Sequence, residues 1–194
     1  MKEKRRCGWC TGKPLYEQYH DEEWGVPVWN DHKQFEFLVL ESAQAGLSWW
    51  TILQRRENYR KAFADFNPEK VARFNPKHIE KLLQNEGIIR NRAKIESSVN
   101  NARVFLDIQE KHGDFCSYFW DFTDGKPIVN KLQDLKHAQA NTPLSDRITK
   151  DMKQKGFKFL GTTILYAHMQ ATGMINDHLV SCFRYKEVQK IKHV

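Results

Sequence analysis

Apolar residues recur every three or four positions along most of the chain and alternating stretches are few, so the pattern predicts helices nearly throughout. Phe35, Leu38, Ser42 and Ala45 keep that spacing from Asp31, which with Gln34 resembles a capping box, to a stop at Gly46. A second helix is expected from Ser48, with Ile52, Tyr59, Phe63 and Phe66 on one side and Arg55, Arg56, Arg60 and Lys61 on others. Asn67-Pro68 and Asn75-Pro76 each set a capping Asn before a Pro at the first helical position, marking two further helices. The apolar face of Ile79, Leu82 and Leu83 stops at Gly87, and helical spacing resumes from Arg90 to about Lys111 through Ile95, Val99, Ala102 and Leu106. Residues 123–143 lack clear periodicity and are expected to form an irregular connection between two lobes. Ser145 is placed to cap a short basic helix ending at Gly156, and a mostly apolar, buried helix is expected between Gly161 and Gly173. No internal repeat, low-complexity tract or long linker divides the chain, so the expectation is an all-α fold in one domain spanning residues 1–194.

Hydrophobic residues make up 40% and aromatics 12% of the 194 residues, enough to bury a core and to exclude wholesale disorder. No stretch approaches the roughly 20 apolar residues of a membrane span, since Phe37 to Leu40 is bracketed by Glu36 and Glu41. The charged start from Met1 to Arg6 has no apolar segment behind it, so a soluble, cytoplasmic protein without membrane partners is expected. Without an export signal, Cys7, Cys10, Cys116 and Cys182 are expected to be thiols or metal ligands rather than disulfides. The net charge of +7 suits a polyanionic partner, although charge alone names none.

Four clusters carry candidate chemistry. Cys7, Cys10 and His20 near one end, with His178 and Cys182 near the other, offer five candidate ligands for an ion that takes four; on a helix His178 and Cys182 would face the same way. The alternatives are buried cysteines with ordinary histidines, or a redox pair at Cys7 and Cys10 that lacks its usual preceding strand. Glu41 lies at helical spacing beside Phe37, Leu38 and Ala45, so its carboxylate is directed to an apolar face. An internal salt bridge would account for it. So would a flat cationic ligand, because Trp9, Tyr16, Tyr19, Trp24, Trp49 and Trp50 supply rings for stacking and cation–π attraction. The turn around Gly87, followed by Arg90, Arg92 and Lys94, has the form of a helix-hairpin-helix element presenting free N–H groups to a phosphate, or else of a plain helical pair with a basic face. Arg147, Lys150, Lys153, Lys155 and Lys158 form a basic run that reads first as a solvated helix face.

With Cys7-Gly8-Trp9, residues 19–25, Glu41 to Trp49, Gly156 to Thr163 and Asn176 to Cys182, the chain resembles the DNA-3-methyladenine glycosylase I family, over about Arg6 to Tyr185. The resemblance implies a helix-hairpin-helix DNA glycosylase fold whose N- and C-terminal segments are stapled by structural zinc. It implies Cys7, His20, His178 and Cys182 as the zinc ligands and leaves Cys10 as a spare thiol. It implies Glu41, Tyr19 and Trp49 as base-recognition residues, with Trp9 beside them and Glu41 as the catalytic group. Gln44, Gly46 and Leu47 are similar to the family's loop that wedges into the duplex, while Gly87, Arg90 and Arg92 fall on the hairpin expected to hold phosphates. The implied activity is removal of cationic 3-methyladenine from alkylated double-stranded DNA by a monomer, with the free base as product. Two departures stand out: Gly87-Ile88-Ile89 lacks a second Gly, and Asp107 has the spacing of the superfamily's catalytic Asp without its turn. Two rivals remain at this point, a zinc-stabilised DNA-binding module without catalysis and a broader glycosylase relying on Asp107.

Overall fold

A computed structural model describes residues 4–191. Its helices are α1 Pro14–Glu22, α2 Asp31–Gln44, α3 Trp49–Leu53, α4 Arg56–Ala62, α5 Pro68–Ala72, α6 Pro76–Leu83, α7 Arg92–His112, α8 Phe115–Asp121, α9 Pro143–Gln154, α10 Thr162–Ala171 and α11 Arg184–Val188. The fold is mostly helical, and no helix among the described residues is long and apolar enough to cross a membrane.

Helix α2 is the central element. Every residue from Gln34 to Ala43 is buried, so the helix is enclosed on all sides by α3, α7, α8 and α10. From it Phe35 meets Phe105 edge-on, and Phe105, Phe115 and Phe119 stack in turn, with successive ring centroids 5.3, 4.3 and 5.8 Å apart. The long helix α7 packs along α5, α8 and α2, and thereby fixes the turn between α6 and α7 beside the end of α2.

The capping signals hold at Ser48, Asn67 and Asn75, whose side chains accept from Thr51, Lys70 and His78 N–H groups. Elsewhere the ends differ from expectation. Asn30, not Asp31, caps α2; the Asp31 carboxylate accepts instead from Phe115 N, Cys116 N and Gln109, closing the start of α8. Thr142 caps α9, with Ser145 as its partner in the capping box. The helix expected from Ser48 onward is broken into α3, α4 and a turn at Ala64–Phe66 whose backbone is left-handed.

The segment 123–143 also holds order that periodicity did not show. Ile128–Val129 pairs in parallel with Ile175–Asn176, forming strands β1 and β2. Two-residue strands are too short to leave an alternating pattern, and their partner lies far away in sequence. The pairing ties the segment to the C-terminal region, where Val180 N also donates to Leu132 O at 2.9 Å.

Candidate active site and metal cluster

Two glutamates on α2 are buried, and their surroundings could hardly differ more. Glu36 meets Arg56 at 2.7 Å, Arg60 at 2.9 Å and Lys33 at 3.1 Å, and these cations hold its carboxyl below the usual range despite burial. Glu41, 3% exposed, has no ion pair or hydrogen bond among the described residues, and its Oε2 is buried without a partner there. Desolvation alone pushes its carboxyl up to about 8. A buried carboxylate left without partners marks a place kept for something else.

That place is a cavity of about 210 Å³ walled by Glu41, Tyr19, Trp49, Trp9, Tyr16 and Trp24. The rings brace one another: Trp9 lies 4.8 Å from Tyr16 and 5.0 Å from Trp24, and Tyr19 lies 5.4 Å from Trp49. Trp49 adds a second orphan, its buried Nε1. Burial and the neighbouring Glu41 keep the Tyr19 phenol well above its ordinary range, so it stays a neutral donor. An aromatic slot with one unpaired carboxylate suits a flat, cationic guest.

All four base-pocket residues expected from the sequence, Glu41, Tyr19, Trp49 and Trp9, therefore converge. Gln44 also lines the cavity, whereas Leu47 stands on the following loop, 41% exposed, past Gly46 with its φ of +78°. The far wall was missed: Leu132 and Leu135 come from the segment read as irregular, and Gln170 and Asp177 from the C-terminal part. Asp177 is held by Tyr166, Gln170 and Asn130, each donating at 2.7 Å, so unlike Glu41 it is fully partnered. Asp107 sits within α7 and lines a different cavity, with Val104, Ile108 and Lys111, and takes no part in this pocket.

The side chains of Cys7, His20, His178 and Cys182 are all buried, and their donor atoms lie within 4.8 Å of one another. His178 and Cys182 do not share a helix as supposed: both precede α11, and a turn, not helical spacing, brings them together. Cys7 and Cys182 Sγ stand 3.7 and 3.6 Å from His178 Nδ1, and Cys182 Sγ 3.4 Å from His20 Nε2. In a tetrahedron with Zn–S about 2.3 Å and Zn–N about 2.0–2.1 Å, sulfur and nitrogen are separated by about 3.5 Å. The outer ring nitrogens are taken by Asp21, 2.8 Å from His20 Nδ1, and by the Trp24 carbonyl, 3.0 Å from His178 Nε2, which orients both rings inward. Gly25 makes the second contact possible, since at its φ of +77° an added Cβ would lie 2.9 Å from His178 Nε2. Cys10 stays outside the cluster, its thiol donating to Cys7 O at 3.1 Å. The two sites share a wall: Trp9 packs 5.3 Å from the His20 ring and Trp24 4.6 Å from the His178 ring.

The hairpin between α6 and α7 corrects one expectation. The N–H groups of Gly87, Ile88 and Ile89 are not free: they donate to Asn85 Oδ1, Asn85 O and the Tyr59 hydroxyl. Gly87 is required here for closeness, because a Cβ would lie 2.8 Å from the Asn58 side chain. Arg90 and Arg92 are exposed and engage Glu86 at 3.6 Å and Glu80 at 2.7 Å. Lys94 points inward, its Nζ bonding the carbonyls of Ala43 and Ala45 at 2.8 and 2.6 Å.

The chain is 46% identical over 180 residues to DNA-3-methyladenine glycosylase 1 of Escherichia coli (strain K12), covering 93% of this chain and 96% of that protein. It is 43% identical to the DNA-3-methyladenine glycosylase of Haemophilus influenzae, covering 91% and 96%. A solved structure of a Tyr-to-Phe variant of 3-methyladenine DNA glycosylase I in complex with 3-methyladenine superposes with a TM-score of 0.90 at 36% identity, covering 97% of this chain and 99% of that one. With the family's sequence pattern matched over residues 9–185, the chain belongs to the methyladenine glycosylase family.

Proposed function

We propose that this protein is a DNA-3-methyladenine glycosylase, which hydrolyses the bond between deoxyribose and cationic 3-methyladenine in alkylated duplex DNA and leaves an abasic site. The observation that carries the reading is Glu41, a buried carboxylate with no partner in an aromatic cavity. Methylation at N3 gives the base a positive charge and weakens its bond to the sugar, so the leaving group is already activated. The nucleotide flips out of the stack and the base enters between Trp49 and the rings opposite. The cation then offers Glu41 the counter-charge that the apolar pocket withholds. Water attacks C1′ as the C1′–N9 bond breaks; its electron pair passes to the purine, which leaves neutral, and the water's proton goes to solvent. Neutral adenine brings no charge to hold Glu41 as the anion, so it gains none of this attraction and is rejected.

Cys7, His20, His178 and Cys182 hold structural zinc in this reading: four protein ligands leave no position for activating water, and the ion joins the two chain ends. The chain acts as a single domain and a monomer. Gln44, Gly46 and Leu47 enter the duplex, while the helix-hairpin-helix element, through Arg90 and Arg92, meets its backbone. The paired N–H groups around Gly87 leave that contact to the side chains.

The decisive experiment incubates methylated duplex DNA with the protein and identifies the released bases. The wild type releases 3-methyladenine, Glu41→Gln loses both release and affinity for the free base while keeping zinc and binding to undamaged DNA, and Asp107→Asn keeps activity. Full activity in Glu41→Gln, or its loss in a folded Asp107→Asn, overturns the assignment.

A further inference from the structure

Phe159, at 38%, is the most exposed phenylalanine, tyrosine or tryptophan among the described residues. Its backbone is also left-handed, with φ +57°, a conformation unfavourable for a bulky side chain. Both features oppose stability, and the surroundings enforce them. Asn101 on α7 grips the preceding residue through both its amide atoms, donating to Lys158 O at 2.9 Å and accepting from Lys158 N at 2.8 Å. Asn100 donates to Gly156 O at 2.9 Å. Together they hold the loop between α9 and α10 against α7 and turn the ring outward.

The place where the ring is held matters as much as its exposure. Lys94 Nζ lies 6.0 Å from the Phe159 ring centroid while it bonds the carbonyls of Ala43 and Ala45, at the start of the loop that carries Leu47. One ammonium thus contacts both the Phe159 ring and the backbone two residues before Leu47, another exposed apolar side chain. Beside the ring, Lys158 is exposed and has no acidic partner among the described residues, leaving its charge free for a polyanion.

We propose that Phe159 is a second apolar contact on the duplex, packing against the bases or sugars beside the position where Leu47 enters, with Lys158 on the adjacent phosphate. Apolar side chains placed this way hold an unstacked step open after a base has left it. The inference rests on the proposed DNA-repair reading and adds a binding residue to it.

Duplex binding of Phe159→Ala and Lys158→Ala, measured as dissociation constant against salt, separates this role from a structural one. Phe159→Ala is expected to weaken binding to abasic or methylated duplex about tenfold with an unchanged salt slope, because an apolar contact releases no counterions. Lys158→Ala is expected to lower the slope by about one. Both keep wild-type thermal stability, zinc content and affinity for free 3-methyladenine. Duplex binding by Phe159→Ala equal to wild type, or loss of free-base affinity in that variant, overturns the proposal. Failure of the wild type to release 3-methyladenine, with the Phe159 effect on duplex binding intact, would instead count against the catalytic reading alone.

Discussion

Glu36 and Glu41 sit five residues apart on one helix, both buried, and only their partners distinguish them. The folded-state value of about 8 for Glu41 is above its unfolded value, so the folded protein binds the extra proton. Stability from this group is therefore fully present below about pH 4.3 and is lost as pH rises through about 8. Glu41→Gln removes that liability: its thermal unfolding at pH 9 should exceed the wild type's by an amount on the order of a few kcal/mol, and the two should converge near pH 4. Equal pH dependence in the two proteins would show that Glu41 finds a partner in solution. In the proposed reading the same titration governs activity. The free enzyme needs the anion, so kcat/KM for excision should fall about tenfold per pH unit below pH 8, read from single-turnover rates at limiting substrate.

Among the elements, the end of α2 carries the most consequence. Its last carbonyls need donors, and Lys94, from the first turn of α7, supplies a charged one. The ammonium was expected from sequence to face phosphate; packing of α7 against α2 turned it inward instead. Lys94→Met keeps the aliphatic volume but strips two acceptors of their partner, so urea denaturation should show a loss of about 1–3 kcal/mol. The loop from Gln44 to Ser48 also loses its tie, and excision from duplex should drop while affinity for free 3-methyladenine is kept. An unchanged ratio of excision to free-base affinity would remove Lys94 from control of that loop.

For the whole molecule, the Cys/His cluster joins segments 171 residues apart, and its histidines form the back of the aromatic wall. In the proposed reading this cluster holds zinc, so removing the ion should loosen both the terminal segments and the aromatic pocket. Chelation is expected to lower the unfolding temperature and weaken free 3-methyladenine binding together, with both restored by added zinc. Cys10→Ser should keep one zinc per chain by elemental analysis, whereas Cys7→Ser should lose it or bind it poorly. The opposite pattern would exchange the two thiols' roles.

Helix caps at Ser48, Asn67 and Asn75 were legible in the sequence because a cap is local: the side chain and the N–H it bonds are three residues apart. The burial of Glu41 was legible for the same reason, since helical spacing sets it among apolar neighbours. Residue types and spacing offered five candidate ligands and a carboxylate among aromatics, and motif resemblance narrowed these to four cluster residues and to Glu41, Tyr19 and Trp49. Tertiary structure decided what depends on distant partners. It gave Glu36 its cations and left Glu41 without any, moved the Asp31 carboxylate to the start of α8, and closed the pocket with Leu132, Leu135 and Asp177. It paired β1 with β2 and brought His178 to Cys182 through a turn rather than a helix. The physical reason is range: hydrophobic period and capping act between residues a turn or so apart, whereas the state of a buried charge is set by whichever donors the packed chain brings to it.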